Sequence, residues 1–292
     1  MDKSAQPGDR GVSVADTAKW VAMYRAIESE RPDALFRDPY ARRLAGARGE
    51  EILGSMPRGR SYGWPMVVRT AVIDELIGHC IRDGAVDLVV NLAAGFDVRP
   101  YRLDLPANLR WIEVDYPATL DEKSQALAGE KPRCQLERIG VDLADSSVRR
   151  ALLARIDNMG GTALVIAEGL MIYLSREQAG ELAQDLHAVS NVRWWVLDIA
   201  APFILKLMTR IWSRRLGASA TFRFAPQEGA AFYDAYGWRL IQYRSAWLEA
   251  QRLGRQPPVA LIWKMLYPRY GRQERIRTSG PMTGVVLLER NR

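Results

Sequence analysis

Short apolar runs recur along the chain from Val86 to Ile199, and each gives way to a stretch of helical periodicity. A strand buried on both faces cannot alternate polar with apolar residues, and parallel strands need a crossover between them, usually a helix. The pattern predicts an α/β fold built on a mostly parallel sheet. Strands are expected at Val86 to Ala93, Arg110 to Asp115, Gln135 to Val141, Thr162 to Ala167 and Arg193 to Ile199. The fifth is very apolar, which predicts a central position. Helices are expected from Pro117 to about Leu127, from Asp145 to Ile156, and from Ser175 to Val189, where Ser175 and Gln178 have the spacing of a capping box.

Two helices should precede this unit, Val14 to Ile27 and Tyr62 to Arg82, the second with Val68, Val72 and Leu76 at helical spacing. After the fifth strand comes a basic amphipathic segment, Pro202 to Thr221. A late strand pair, Trp238 to Ser245 and Gly284 to Arg290, brackets a further helical stretch with Trp247, Leu248, Trp263, Met265 and Leu266. The two segments read as a lid added to the sheet. With no internal repeat and no low-complexity linker, the expected organisation is an N-terminal helical segment over residues 1–84. One sheet domain follows over residues 85–292, with cap insertions at about 201–226 and 246–282.

The 292 residues carry 41 Lys+Arg against 34 Asp+Glu, a formal net charge of +7. The excess sits after Pro202, in residues such as Arg210, Arg214, Arg215 and Arg223. Such charge suits an anionic partner. No zinc-finger, RRM or KH signature accompanies it, so no nucleic-acid partner is expected. No apolar stretch is long enough to span a bilayer, which argues against stable membrane insertion. Residues 1–13 have no apolar signal region, and the cytoplasm is the expected compartment. Cys80 and Cys134 lack the spacing of a metal knuckle and read as small core residues; no metal site is expected.

In an open α/β sheet the ligand lies beyond the carboxyl ends of the strands, near the first strand and its turn. Here that turn reads Asn91-Leu-Ala-Ala-Gly-Phe-Asp97-Val-Arg99. Gly95 lets the backbone pass close to a ligand, and Asp97 can accept hydrogen bonds. The second strand ends in Glu113-Val-Asp115. An acid there, roughly 20 residues past the glycine turn, is placed to hold a ribose diol. A pyrophosphate-type glycine pattern is missing, so a nucleoside without phosphates fits better than NAD.

The run "NLAAGFDVRPYRL", then "WIEVDYPATLDEK", "VDLADS" and "AEGLMIYL", resembles the leucine carboxyl methyltransferase superfamily of S-adenosylmethionine-dependent O-methyltransferases, in its bacterial, polyketide-type branch. With "TAKWVAMYRAIESERPDALFRDPYARRLAG" near the N-terminus, the resemblance runs from about Val14 to Leu174. It implies a class I methyltransferase fold: a Rossmann-like seven-stranded sheet with the last strand antiparallel, N-terminal helices and a helical cap. It also implies S-adenosyl-L-methionine as cofactor. Arg69 matches the arginine that pairs with the methionyl carboxylate, while Ala93, Gly95 and Asp97 match the glycine-rich loop. Asp115 matches the ribose-binding acid, Asp142 and Leu143 flank the adenine, and Glu168 matches the acid near the methionine end. Arg25 matches an N-terminal basic residue that closes over the cofactor. Where eukaryotic members read Gly-Ala-Gly, this chain has Ala93-Ala94-Gly95, as bacterial relatives commonly do.

Methyl transfer from a sulfonium is an in-line displacement, and a carboxylate acceptor is already ionised at neutral pH. The two histidines, His79 and His187, lie on helices away from the strand tips. That scarcity favours a carboxyl acceptor on a small hydrophobic metabolite of a secondary pathway. Tyr24, Arg25 and Tyr173, with insertion arginines such as Arg210 and Arg223, are the candidates for holding it. Two alternatives stand beside this reading: hydroxyl methylation with an Asp, Glu or Tyr base, and a cofactor-binding protein without turnover. The basic helix Phe203 to Leu216 also has the pattern of a membrane-surface helix, although a lid is preferred. The oligomeric state is not legible.

Overall fold

The structure, a computed structural model, describes residues 13–56, 59–212, 221–256 and 283–291. The chain opens with helices α1 (Val14–Ser29), α2 (Ala41–Ser55) and α3 (Trp64–Asp83), the last two joined through a 3₁₀ turn at Gly59–Tyr62. The alternating unit then runs β1 (Leu88–Leu92), α4 (Arg99–Arg102), β2 (Arg110–Asp115), α5 (Pro117–Ala126), β3 (Gln135–Gly140), α6 (Ser146–Asn158), β4 (Ala163–Ala167), α7 (Arg176–His187) and β5 (Val192–Ile199). After α8 (Pro202–Trp212) and a 3₁₀ stretch at Gly229–Tyr236 come β6 (Trp238–Ser245), α9 (Ala246–Arg252) and β7 (Gly284–Arg290).

The seven strands are ordered β3-β2-β1-β4-β5-β7-β6. Strands β1 to β5 pair in parallel, and β7 is antiparallel to both β5 and β6. This is the class I methyltransferase sheet, with β5 in its interior as its apolar composition predicts. The pleat divides the strands between two cores. Val90, Ile112, Val165, Trp195 and Leu197 pack under α6 and α7, while Val89, Trp111, Leu164, Trp194 and Val196 pack under α3. A third core joins α1 and α2 to Phe96, Val98 and Tyr101 beyond the end of β1.

Local sequence sets the helix starts. Asp145 caps α6 through the backbone amides of Ser147 and Val148, and the Ser175/Gln178 capping box opens α7. Helix α2 is a correction to the sequence reading, which placed no helix between the first and second. Its segment, ARRLAGARGEEILGS, is rich in glycine and arginine, and packing along α1 holds it in place. It is kinked at Gly46, where φ is 57° and ψ is −170°. Within the first insertion the helix covers Pro202–Trp212; Arg214, Arg215 and Leu216 lie outside the described residues, as do Trp263, Met265 and Leu266 of the second. Cys80 and Cys134 are both buried and unpaired, and burial pushes their thiols up to about 12 and about 11. Among the described residues no helix is long and apolar enough to cross a membrane, and no cluster of His, Cys, Asp or Glu is arranged to hold a metal ion.

Candidate active site

The carboxyl ends of β1, β2, β4 and β5 open into a cavity of about 1260 Å³. Leaving β1, the backbone passes through the left-handed region twice, at Ala93 (φ 53°) and Gly95 (φ 45°). Glycine adopts that conformation freely, whereas alanine is strained in it. The turn brings the Gly95 amide to Asp115 Oδ2, to which it donates at 2.7 Å. A Cβ on Gly95 would lie 3.3 Å from that of Ala18 in α1, so the loop is pressed between the sheet and the N-terminal helix. Asp115 also accepts from the Tyr116 amide at 2.7 Å, and its carboxylate has lone pairs left for further donors. Asp142, which accepts from the Ala144 amide, and Leu143 line the same end of the cavity.

At the other end lies a chain of alternating charges. Arg69, on α3, donates to Glu168 at 2.9 Å and to Asp198 at 3.0 Å. Glu168 accepts in turn from Arg99 at 2.8 Å, and Arg99 reaches Asp97 at 2.7 Å and Asp74 at 2.6 Å. Asn91 donates to Asp97 at 2.8 Å, and the Gly169 amide donates to Asp198 at 2.5 Å. Burial alone would raise the carboxyl pKa values of Asp97 and Glu168. The neighbouring guanidinium groups, Arg99 foremost, outweigh it and hold both below the ordinary carboxylate range. Burial likewise disfavours the charge on Arg69, but Asp198 and Glu168 hold it firmly protonated. Arg69 Nη2 has no partner among the described residues and is free for another acceptor.

The structure gathers Arg69, Ala93, Gly95, Asp97, Asp115, Asp142, Leu143 and Glu168 around this one cavity, with Arg25 and Tyr173 on its wall. Arg25 is committed to Asp38 at 2.8 Å and to the Phe96 carbonyl at 2.5 Å, so it braces the loop after Gly95. Tyr173 donates to Thr17 at 3.3 Å, its ring lies 5.7 Å from that of Phe222, and burial raises its pKa. Tyr24 is a correction. It does not line the cavity; its hydroxyl donates to the Gly59 carbonyl at 2.8 Å, and burial pushes its pKa up to about 12. His79 pairs with Asp83 at 2.8 Å on an exposed helix face and His187 packs edge-on to Trp238; neither lines the cavity.

The sequence reading gave no role to Arg99 or Asp198. Arg99 lies inside a motif that was read, but nothing local tells a surface arginine from one with 2% of its side chain exposed. Asp198 was legible: it stands next to the end of the fifth apolar run, much as Asp115 stands at the end of the second.

The family model described as leucine carboxyl methyltransferase matches residues 18–187. A relative from Mycobacteroides abscessus is 31% identical over 280 residues, 85% of this chain and 90% of its own length. Relatives from Mycolicibacterium smegmatis (37% over 196 residues) and Streptomyces coelicolor (41% over 178 residues) align over 62% and 57% of this chain, and the aligned part spans 65% and 61% of their own lengths. All three bear the provisional name of an S-adenosyl-L-methionine-dependent methyltransferase. Among solved structures, a DUF574 family protein from Streptomyces avermitilis superposes with a TM-score of 0.58 at 12% identity, over 94% of this chain and 97% of its own. A provisionally named methyltransferase from Thermobifida fusca superposes with a TM-score of 0.59 at 10% identity, over 99% and 100%. At these identities the likeness is one of fold.

Proposed function

The chain belongs to the leucine carboxyl methyltransferase family, and from that premise we propose that it is an S-adenosylmethionine-dependent O-methyltransferase acting on the carboxyl group of a small apolar metabolite. The observation that carries the reading is a pair of groups in one cavity with hydrogen-bonding capacity left over: the Asp115 carboxylate beside the Gly95 turn, which keeps lone pairs beyond its two amide donors, and the Arg69 guanidinium, locked by two acids through Nε and Nη1. A nucleoside diol fits the first, and an amino-acid carboxylate fits the second. Asp142 and Leu143 then border the base, and Glu168 serves by fixing Arg69 and Arg99. When bound, the cofactor supplies an electrophilic methyl group on a sulfonium.

The rest of the work is positioning and exclusion of water. Arg25, braced by Asp38, holds the loop in place, and Ile204 and Met208 of α8 form part of the cavity wall. The scarcity of available bases supports a carboxyl acceptor over a hydroxyl one. No histidine lines the cavity, Asp115 and Asp142 lie at the proposed nucleoside end, Asp97 and Glu168 are held as weak bases by their arginines, and the buried Tyr173 hydroxyl resists ionisation. The buried, unpaired cysteines suit a reducing compartment, in keeping with the cytoplasm.

The test is calorimetric titration of S-adenosylmethionine into the wild type, Asp115→Ala and Arg69→Ala. We expect wild-type binding and at least a tenfold loss in each variant, the scale of one charge-assisted contact. Wild-type protein that binds nothing, or variants that bind as well as the wild type, would refute the assignment.

A further inference from the structure

Seven arginines line the cavity among the described residues, and no lysine or histidine does. Six are neutralised by carboxylates: Arg25 by Asp38, Arg69 by Glu168 and Asp198, Arg99 and Arg102 by Asp74, Arg149 by Asp185 and Arg244 by Glu249. The seventh, Arg223, faces no carboxylate among the described residues. Its backbone is fixed, because the amides of Arg223 and Phe224 both donate to the Ile172 carbonyl, at 2.8 and 3.2 Å. Those bonds set Arg223 next to Phe222, in an apolar part of the cavity wall that Ile172, Tyr173 and Met208 also line.

The acids of the cavity are distributed in the opposite sense. Asp97, Glu168, Glu181 and Asp198 each pair with an arginine, whereas Asp115 and Asp142, at the proposed nucleoside end, pair with none. The unmatched negative charge is therefore at one end and the unmatched positive charge at the apolar wall. The volume exceeds the roughly 300–1,000 Å³ usual for a single drug-sized ligand, which leaves room for a second molecule beside the first. An anion moved from water to an apolar wall is costly unless a cation meets it.

We infer that Arg223 is the specificity-determining residue for the acceptor, binding the carboxylate of an amphipathic acid whose hydrocarbon body lies along that wall. The inference rests on the carboxyl-methylating reading above. In the reaction a carboxylate oxygen forms a bond to the sulfonium methyl carbon while the carbon–sulfur bond breaks and its electron pair stays on sulfur. The products are a methyl ester and S-adenosylhomocysteine, and no proton moves. The ester carries no charge, so methylation removes the attraction to Arg223 and favours product release.

The test uses decanoate and its methyl ester as probes, titrated into full-length protein saturated with S-adenosylhomocysteine, for the wild type, Arg223→Gln and Arg223→Lys. Arg223 is exposed, so its substitution should leave the fold intact. The wild type should bind decanoate at least tenfold more tightly than methyl decanoate. Arg223→Gln should abolish that preference without changing the affinity for the ester or for S-adenosylhomocysteine, and Arg223→Lys should restore part of it. A preference that survives in Arg223→Gln, or is absent from a wild type that binds S-adenosylhomocysteine, overturns the inference. Loss of S-adenosylhomocysteine binding in the wild type instead indicts the cofactor reading, and the probe comparison between wild type and Arg223→Gln still decides the role of Arg223.

Discussion

Ala93 is the residue where sequence and conformation disagree most openly. Its φ of 53° is one that glycine adopts freely and alanine does not. A left-handed alanine costs about 1–2 kcal/mol, and a glycine returns about 0.5–1 kcal/mol of that through its greater freedom when unfolded. Ala93→Gly should therefore raise the unfolding free energy by up to about 1 kcal/mol, read from urea titrations, and leave S-adenosylmethionine affinity intact. A loss of stability would mean that the methyl group makes a contact outweighing the strain. At this scale the sequence was legible where one backbone turn fixes the geometry: Gly95 and Asp115 meet because the turn and the adjacent strand tip bring them together. Tyr24 lies on α1 between the cavity-lining Val21 and Arg25, but its hydroxyl turns to the Gly59 carbonyl, a partner 35 residues away that leaves no local signal.

Among the elements, α2 was missed, and its glycines explain why. Glycine lowers helix propensity by about 1 kcal/mol relative to alanine, so the segment carries little local signal of its own. Packing against α1 compensates. The kink makes a counterintuitive prediction. In an ordinary exposed helix Gly→Ala stabilises, but Gly46 sits at φ 57° and ψ −170°, a region essentially reserved for glycine. Although nothing lies within 4 Å of a Cβ there, Gly46→Ala should destabilise the protein by about 1–3 kcal/mol, measured by thermal melting. A rise in melting temperature would show that the kink relaxes into a regular helix. The strands and the capped helices α6 and α7 were legible to within a few residues, since their apolar period and capping side chains are properties of neighbouring residues.

For the whole molecule, the charge network ties stability to pH. Asp97 and Glu168 have folded pKa values below their ordinary ones, so their stabilisation is fully present above the ordinary carboxylate range and is lost as pH falls through the folded values. Urea midpoints should stay level from about pH 8 to 5 and fall steadily below about pH 4. Because the shifted groups of the cavity lie outside the neutral range, methyl transfer to a carboxylate should vary little between about pH 6 and 9. A rate that climbs steeply across that window would favour a hydroxyl acceptor. The sequence by itself determined the α/β class, the strand positions and the acids at the strand tips, because hydrophobic period and turn chemistry act between residues close along the chain. Only the tertiary structure decided which cavity arginines are spent on internal ion pairs and which faces no carboxylate among the described residues. Arg69 meets Asp198 across 129 residues of sequence and Arg99 meets Glu168 across 69, and charge compensation acts through space, on distances that no local pattern encodes.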